Sequence, residues 1–144
     1  MDERLGAIEI LLVEDNPQDA ELAIRALQKR NLANHLHHVE DGAEALEFFF
    51  GENAANRRPR LVLLDLKLPK VDGLEVLREL RQREKTRTIA VVVLTSSHED
   101  RDLRTAYSLG VNSYIVKPVD FNKFAAVVAQ LGMYWLLVNE PSKP

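Results

Sequence analysis

Glu14, Asp15, Asp65, Thr95 and Lys117 are the residues of this chain whose types and placement could do chemistry together. Each stands at the end of a short aliphatic run: Ile10 to Val13 leads into Glu14-Asp15, and Leu61 to Leu64 into Asp65. Ala90 to Leu94 leads into Thr95, and Tyr114 to Val116 into Lys117-Pro118. Three acids gathered in one place would repel, raising the pKa of at least one unless a cation neutralises them. Mg2+ is the natural partner, a hard ion that takes one or two carboxylates, waters and phosphate oxygens. A carboxylate can also attack phosphorus and form an aspartyl phosphate when charge on the transferring group is neutralised. The metal would do this from one side and the Lys117 ammonium from another, while Thr95 donates a hydrogen bond to a phosphoryl oxygen. Taken singly, an acid at a strand end is a cap, a Thr is sheet filler and a Lys is surface. The signal is the set.

The elements that must position this set alternate strand and helix from end to end. Short Val/Ile/Leu-rich runs followed by helical patterns are the mark of buried parallel strands. Asn16-Pro17 opens the first helix, with Asn16 as cap and Pro17 at the first helical position, and Asp19 lies in its first turn where the dipole favours an acid. His35 to Val39 forms a weaker second strand, and Asp41-Gly42 turns into a helix carrying Leu46, Phe49 and Phe50. Gly51 to Arg60 is a polar surface loop. A helix runs from Gly73 through Leu80, another carries Leu103, Ala106 and Leu109 and closes at Gly110, and a last runs from Phe121 to about Val138. Five such βα units with right-handed crossovers predict a doubly wound parallel sheet in the flavodoxin-like order 2-1-3-4-5, with helices on both faces. The switch point then falls between the strands ending in Asp15 and Asp65, where an open α/β sheet places its site.

Composition narrows the function classes. The 144 residues are 46% hydrophobic and 28% charged, which suits one globular domain over 1–144. Absence of Cys excludes disulfides and thiolate metal sites. A net charge of -3 and a pI near 5.8 argue against non-specific nucleic-acid binding. No run has the length of a membrane span and the N-terminus lacks a signal-peptide layout, so a cytoplasmic protein is expected.

The segments LLVEDNPQDAEL, LVLLDLKLPKVDGLEVL, VVVLTSS and YIVKP resemble the receiver domain of response regulators, the CheY-like family, over nearly the whole chain. The resemblance implies a histidine kinase as partner and Asp65 as phosphoacceptor. It implies that Asp15, Asp65 and the Lys67 carbonyl bind Mg2+ directly, that Glu14 acts through a metal-bound water, and that Lys117 and Thr95 hold the phosphoryl group. Lys117-Pro118 would be cis, and Tyr114 would be the aromatic switch that turns inward when Thr95 is drawn to the phosphate. Such a protein is no enzyme beyond catalysing its own phosphorylation and dephosphorylation. More narrowly, HVEDGAEALEFFF, NSYIVKPVD and YWLLVNEP are similar to small stand-alone regulators of phytochrome-type histidine kinases. Those relatives commonly carry Asn where this chain has Lys67. The carbonyl still serves a metal, and the ammonium is placed to pair with the acids or the phosphate.

Two rival functions fit less well. A Mg-dependent phosphohydrolase of the haloacid dehalogenase type carries a second Asp two positions after its nucleophile, where this chain has Lys67. A nucleotide- or flavin-binding module would want a Gly- or hydroxyl-rich first loop, and Glu14-Asp15-Asn16-Pro17 is acidic. Elsewhere the expectations are plainer. His35, His37 and His38 alternate across an exposed edge, His98 is a loop residue, and the basic run Arg78 to Arg87 is a solvated helix face. Gly73 and Gly110 are backbone punctuation. The final helix, extended over about 132–144, is apolar nearly all round, with Phe121, Phe124, Val128, Leu131, Trp135 and Val138 in one stripe. A helix with so little polar face should be covered on both sides, which predicts a symmetric homodimer.

Overall fold

The computed structural model describes residues 9–28, 36–52, 58–120, 123, 124, 126 and 130. Strands β1 (Ile10–Val13), β2 (Leu36–Val39), β3 (Leu61–Leu64), β4 (Ala90–Thr95) and β5 (Ser113–Val116) form one sheet in the order β2-β1-β3-β4-β5. Every pairing is parallel, with Ile10 opposite both Leu36 and Leu61. Helices α1 (Pro17–Gln28), α2 (Gly42–Phe50), α3 (Gly73–Gln82) and α4 (Asp100–Ser108) connect them. This is the flavodoxin-like order expected from the alternation. The final helix and its extension lie almost wholly outside the described residues, and so does His35.

The near-continuous hydrophobicity of the central strands has a direct cause: both faces of the sheet are covered. Side chains alternate across a strand, so Leu11, Val13, Val62, Leu64, Val91 and Val93 enter one core with Phe49 of α2 and Val76, Leu77 and Leu80 of α3. Ile10, Leu12, Leu61, Leu63, Val92 and Leu94 enter the other with Ala20 and Leu27 of α1, and Phe124. The register is thereby locked, since a one-residue slip would exchange the two cores. All strands are parallel, so β1, β3, β4 and β5 end on the same edge.

Local chemistry fixes where the helices start. Asn16 Oδ1 accepts from the backbone N–H of Gln18 and Asp19, the cap expected there, and Asp41 Oδ1 accepts from that of Glu44 and caps α2. Gly110 closes α4 with φ of +82°, a conformation that favours glycine. Gly73 is more than punctuation. A Cβ there would stand 2.2 Å from the Asp65 carbonyl oxygen, so its lack of a side chain lets α3 abut the strand end that carries the site.

Two surface expectations are corrected. The basic run is not one solvated helix face, because α3 stops at Gln82. Arg81 turns in to donate to the carbonyls of Ile89 and Gly110 at 2.8 Å each, and Arg83 stacks over the Phe50 ring at 4.3 Å. Arginine's fork can tie off several carbonyls that a turn leaves unpaired, which a charge count does not reveal. The histidines of β2 are half-buried although the strand is at the sheet edge. The His37 ring lies 5.1 Å from that of Phe48, and His38 Nε2 is 2.8 Å from the Glu14 carbonyl oxygen. His98 is an exposed loop residue.

Candidate functional site

The strand ends bring the expected residues together. Glu14 and Asp15 follow β1, Asp65 follows β3, Thr95 ends β4 and Lys117 follows β5. The loop after β1 is pinned by the Glu14 N–H donating to Val39 O and by His38 against the Glu14 carbonyl. Asp65 N donates to Val13 O at 3.1 Å, which ties the second acid to the first strand. Glu14, Asp65 and Thr95 are buried and Asp15 is exposed.

Lys117 is the centre of the arrangement. Its Nζ donates to Glu14 Oε1 at 2.6 Å, to Asp19 Oδ2 at 2.8 Å and to Asp65 Oδ2 at 3.1 Å. An ammonium has three donors, and each meets a carboxylate. Burial alone would push the Lys117 pKa down, but the hydrogen bonds to Asp19 and Glu14 and the charge of Asp65 outweigh it and hold the ammonium above its usual value. Burial pushes Glu14 up to about 7, against the lowering effect of its hydrogen bonds to Lys117 and Asn16 and with the help of the Asp65 charge. One cation thus faces a cluster of acids too large for it. Asp19 is the member missed in the sequence. Its position in the first turn of α1 has an ordinary helix-dipole explanation, and only the tertiary fold reveals its second partner.

One oxygen from each of Glu14, Asp15 and Asp65 lies within 4.8 Å of the others. Hard, anionic oxygen donors at this spacing, with one acid desolvated and its pKa raised, fit a hard divalent cation. Both Glu14 oxygens already accept protein hydrogen bonds, from Lys117 and from Asn16 N at 3.1 Å. That suits a contact through water rather than direct ligation. Asp65 Oδ1 accepts from Lys67 N at 3.3 Å, which orients the carboxylate across the start of its loop.

A second network flanks the first. Thr95 Oγ1 accepts from Ser97 N at 3.2 Å, and Tyr114 donates its hydroxyl to Ser97 O at 2.9 Å. Ser97 Oγ donates to Asp102 Oδ2 at 2.6 Å, and the same oxygen is 3.3 Å from Lys67 Nζ. The Ser97 hydrogen bond, and after it the Lys67 pair, hold the Asp102 carboxyl below its ordinary range despite burial. The Lys67 ammonium therefore pairs with Asp102 of α4. Of the expected partners, the site acids or the phosphate, the acids of the strand ends are not the ones it meets. Lys117-Pro118 is cis, as the resemblance implied.

A five-stranded flavodoxin-like sheet with an acid cluster and a lysine at one edge defines a class, and the whole-chain comparison agrees. Residues 10–129 match the response regulator receiver domain, and the chain belongs to that family. It is 45% identical over 136 residues to the probable methanogenesis regulatory protein FilR2 of Methanothrix harundinacea, covering 94% of this chain and 88% of the relative. It is 40% identical over 129 residues to response regulator Rcp1 of Synechocystis sp., covering 88% of each. Among solved structures, the bacteriophytochrome response regulator AtBRR matches with a TM-score of 0.77 at 50% identity, over 93% of this chain and 99% of the other. The manganese-bound form of Rcp1 matches with a TM-score of 0.73 at 37% identity, over 95% and 99%. This chain is a receiver-domain response regulator whose relatives include stand-alone phytochrome response regulators. Nothing favours the phosphohydrolase alternative.

Proposed function

We propose that Asp65 accepts a phosphoryl group from the phosphohistidine of a sensor kinase, with Mg2+ held by Asp15, Asp65 and the Lys67 carbonyl and, through water, by Glu14. The observation that carries this is the triple contact of Lys117 Nζ with Glu14, Asp19 and Asp65 beside a three-acid cluster. Receiver domains are divalent-metal proteins, and the manganese-bound Rcp1 structure supports a metal here. When bound, the metal supplies charge neutralisation for the transferring group. Lys117 holds the Asp65 carboxylate in place through Oδ2 and remains charged at neutral pH. An Asp65 oxygen attacks phosphorus, the P–N bond to the kinase histidine breaks, and the imidazole keeps the electron pair. Thr95 accepts from Ser97 N, a role that leaves its own O–H to donate to a phosphoryl oxygen. If the hydroxyl is drawn toward phosphate, its bond to Ser97 is disturbed, and Ser97 O also anchors Tyr114. Tyr114 is in this reading the switch residue.

The kinase is of the phytochrome type in this proposal, supported by the identity to AtBRR and Rcp1. The protein catalyses only its own phosphorylation and dephosphorylation, works in the cytoplasm, and signals by protein contacts. With Mg2+ and a small-molecule phosphodonor, the protein should gain a single base-labile acyl phosphate at Asp65. Equal labelling of the same peptide in Asp65→Asn would refute the assignment.

A further inference from the structure

Asp102 is a buried acid that the phosphoacceptor chemistry leaves unused. It lies in the first turn of α4 at 4% exposure. The N-cap residue of that helix, Glu99, makes no side-chain capping bond. Removing a carboxylate from water is costly unless it is paired and hydrogen-bonded. Asp102 Oδ2 meets both needs, through Ser97 Oγ and Lys67 Nζ. Its two partners belong to different loops, Lys67 to the one after β3 and Ser97 to the one after β4. Lys67 follows Asp65 by two residues and gives its N–H to Asp65 Oδ1. Ser97 is bonded to Thr95 through its N–H and to Tyr114 through its carbonyl. One carboxylate therefore holds the loop after β3 and the loop after β4 together.

We propose that Asp102 is a positioning residue for loss of the phosphoryl group: it holds the Lys67 ammonium away from phosphorylated Asp65 and so sets the lifetime of the acyl phosphate. The inference rests on Asp65 being the phosphoacceptor. Hydrolysis needs water oxygen to attack phosphorus while the P–O bond to Asp65 breaks. The carboxylate leaves with the electron pair, and inorganic phosphate departs with the proton lost by water. One Asp65 oxygen, Oδ2, is taken by Lys117, whose side chain is 13% exposed, and in this proposal water reaches the phosphoryl group from the solvent side. The Lys67 side chain is 56% exposed and follows Asp65 by two residues, so it borders that solvent approach. A phosphoryl group brings new negative charge beside Lys67 and competes with Asp102 for it. An ammonium drawn to the phosphoryl oxygens occupies the approach of water and slows hydrolysis. An ammonium kept on Asp102 leaves the approach open.

Two substitutions then act in opposite directions. Asp102→Asn keeps an acceptor for Ser97 Oγ but releases Lys67, and should lengthen the acyl-phosphate lifetime about threefold or more. Lys67→Gln removes the ammonium from both arrangements and should shorten it below that of the unaltered protein. In the Lys67→Gln background, Asp102→Asn should change nothing further. The test is decay of labelled phosphate from Asp65 in the full chain with saturating Mg2+, after labelling by a small phosphodonor. A merely structural Asp102 would loosen the site, shift both single variants the same way and persist in the double variant, and that result overturns the inference. So does an unchanged lifetime in Asp102→Asn. Should that variant fail to fold, an equal or longer lifetime in Lys67→Gln overturns it alone. Failure of the unaltered protein to label at Asp65 overturns the phosphoacceptor reading and this inference with it.

Discussion

At the scale of single residues, Glu14 is where burial and function pull against each other. Its carboxyl would titrate at 4.5 if unperturbed and at about 7 in the fold, with burial the leading cause. Between those values the folded state binds more protons than the unfolded, so stability falls as pH rises through the window. Metal-free protein should therefore lose melting temperature from about pH 4.5 to about pH 7, and Glu14→Gln should flatten that slope. Saturating Mg2+ should raise the melting temperature more at pH 7.5 than at pH 5, since the cation needs ionised acids. Parallel pH profiles for the two proteins without metal would remove Glu14 from this account. The same tension explains why Lys117 is shared by three acids: one ammonium in a half-buried site makes their coexistence tolerable.

At the scale of elements, helix α3 must come close to the end of β3 for Asp65 to be aimed at Lys117. Gly73 allows it, because any Cβ would stand 2.2 Å from the Asp65 carbonyl and 2.5 Å from Leu66 Cα. Gly73→Ala should destabilise the fold by about 2 kcal/mol through forced backbone movement. It should also weaken Mg2+ binding, because the atoms that must move belong to a metal ligand. Gly110→Ala is the matched comparison. Its φ of +82° makes Ala strained, at a cost of about 1 kcal/mol, but it lies at the far end of α4. Denaturant titrations and Mg2+ titrations of both variants check this: equal loss of metal affinity in the two would mean that Gly73 has no special link to the site. The helix–sheet contacts themselves were legible, since Val76, Leu77 and Leu80 repeat at helical spacing and all three are buried.

At the scale of the whole molecule, the proposed assembly is a symmetric homodimer through the final helix. Phe124 is buried against the core formed with α1, so one side of that helix meets the sheet. The rest of the apolar stripe, Phe121, Val128, Leu131, Trp135 and Val138, lies outside the described residues. Its sequence leaves too little polar surface for a helix covered on one side only. Sedimentation at micromolar concentration should give a dimer, and only monomer with and without phosphodonor would remove this proposal. Described residues contain no helix long and apolar enough to cross a membrane.

The sequence by itself determined the sheet order, the strand ends and the residues Glu14, Asp15, Asp65, Thr95 and Lys117. It could do so because strand periodicity and topology act along the chain: a buried parallel strand is a short apolar run, and the residue after it falls on the functional edge. Only the tertiary structure decided who pairs with whom. Asp19 has a sufficient local reason to sit in the first turn of α1, so nothing in the sequence marks it as a partner of Lys117, 98 positions away. Asp102 likewise looks like one more acid at a helix start, and its burial against Ser97 and Lys67 comes with the packing of α4 beside α3 and β5. Arg81 hides in a basic run until the segment after α3 brings the Ile89 carbonyl, and the end of α4 the Gly110 carbonyl, to its fork. Charged side chains are long and their partners lie far off in the chain, so their contacts are set by three-dimensional approach and leave no periodic trace.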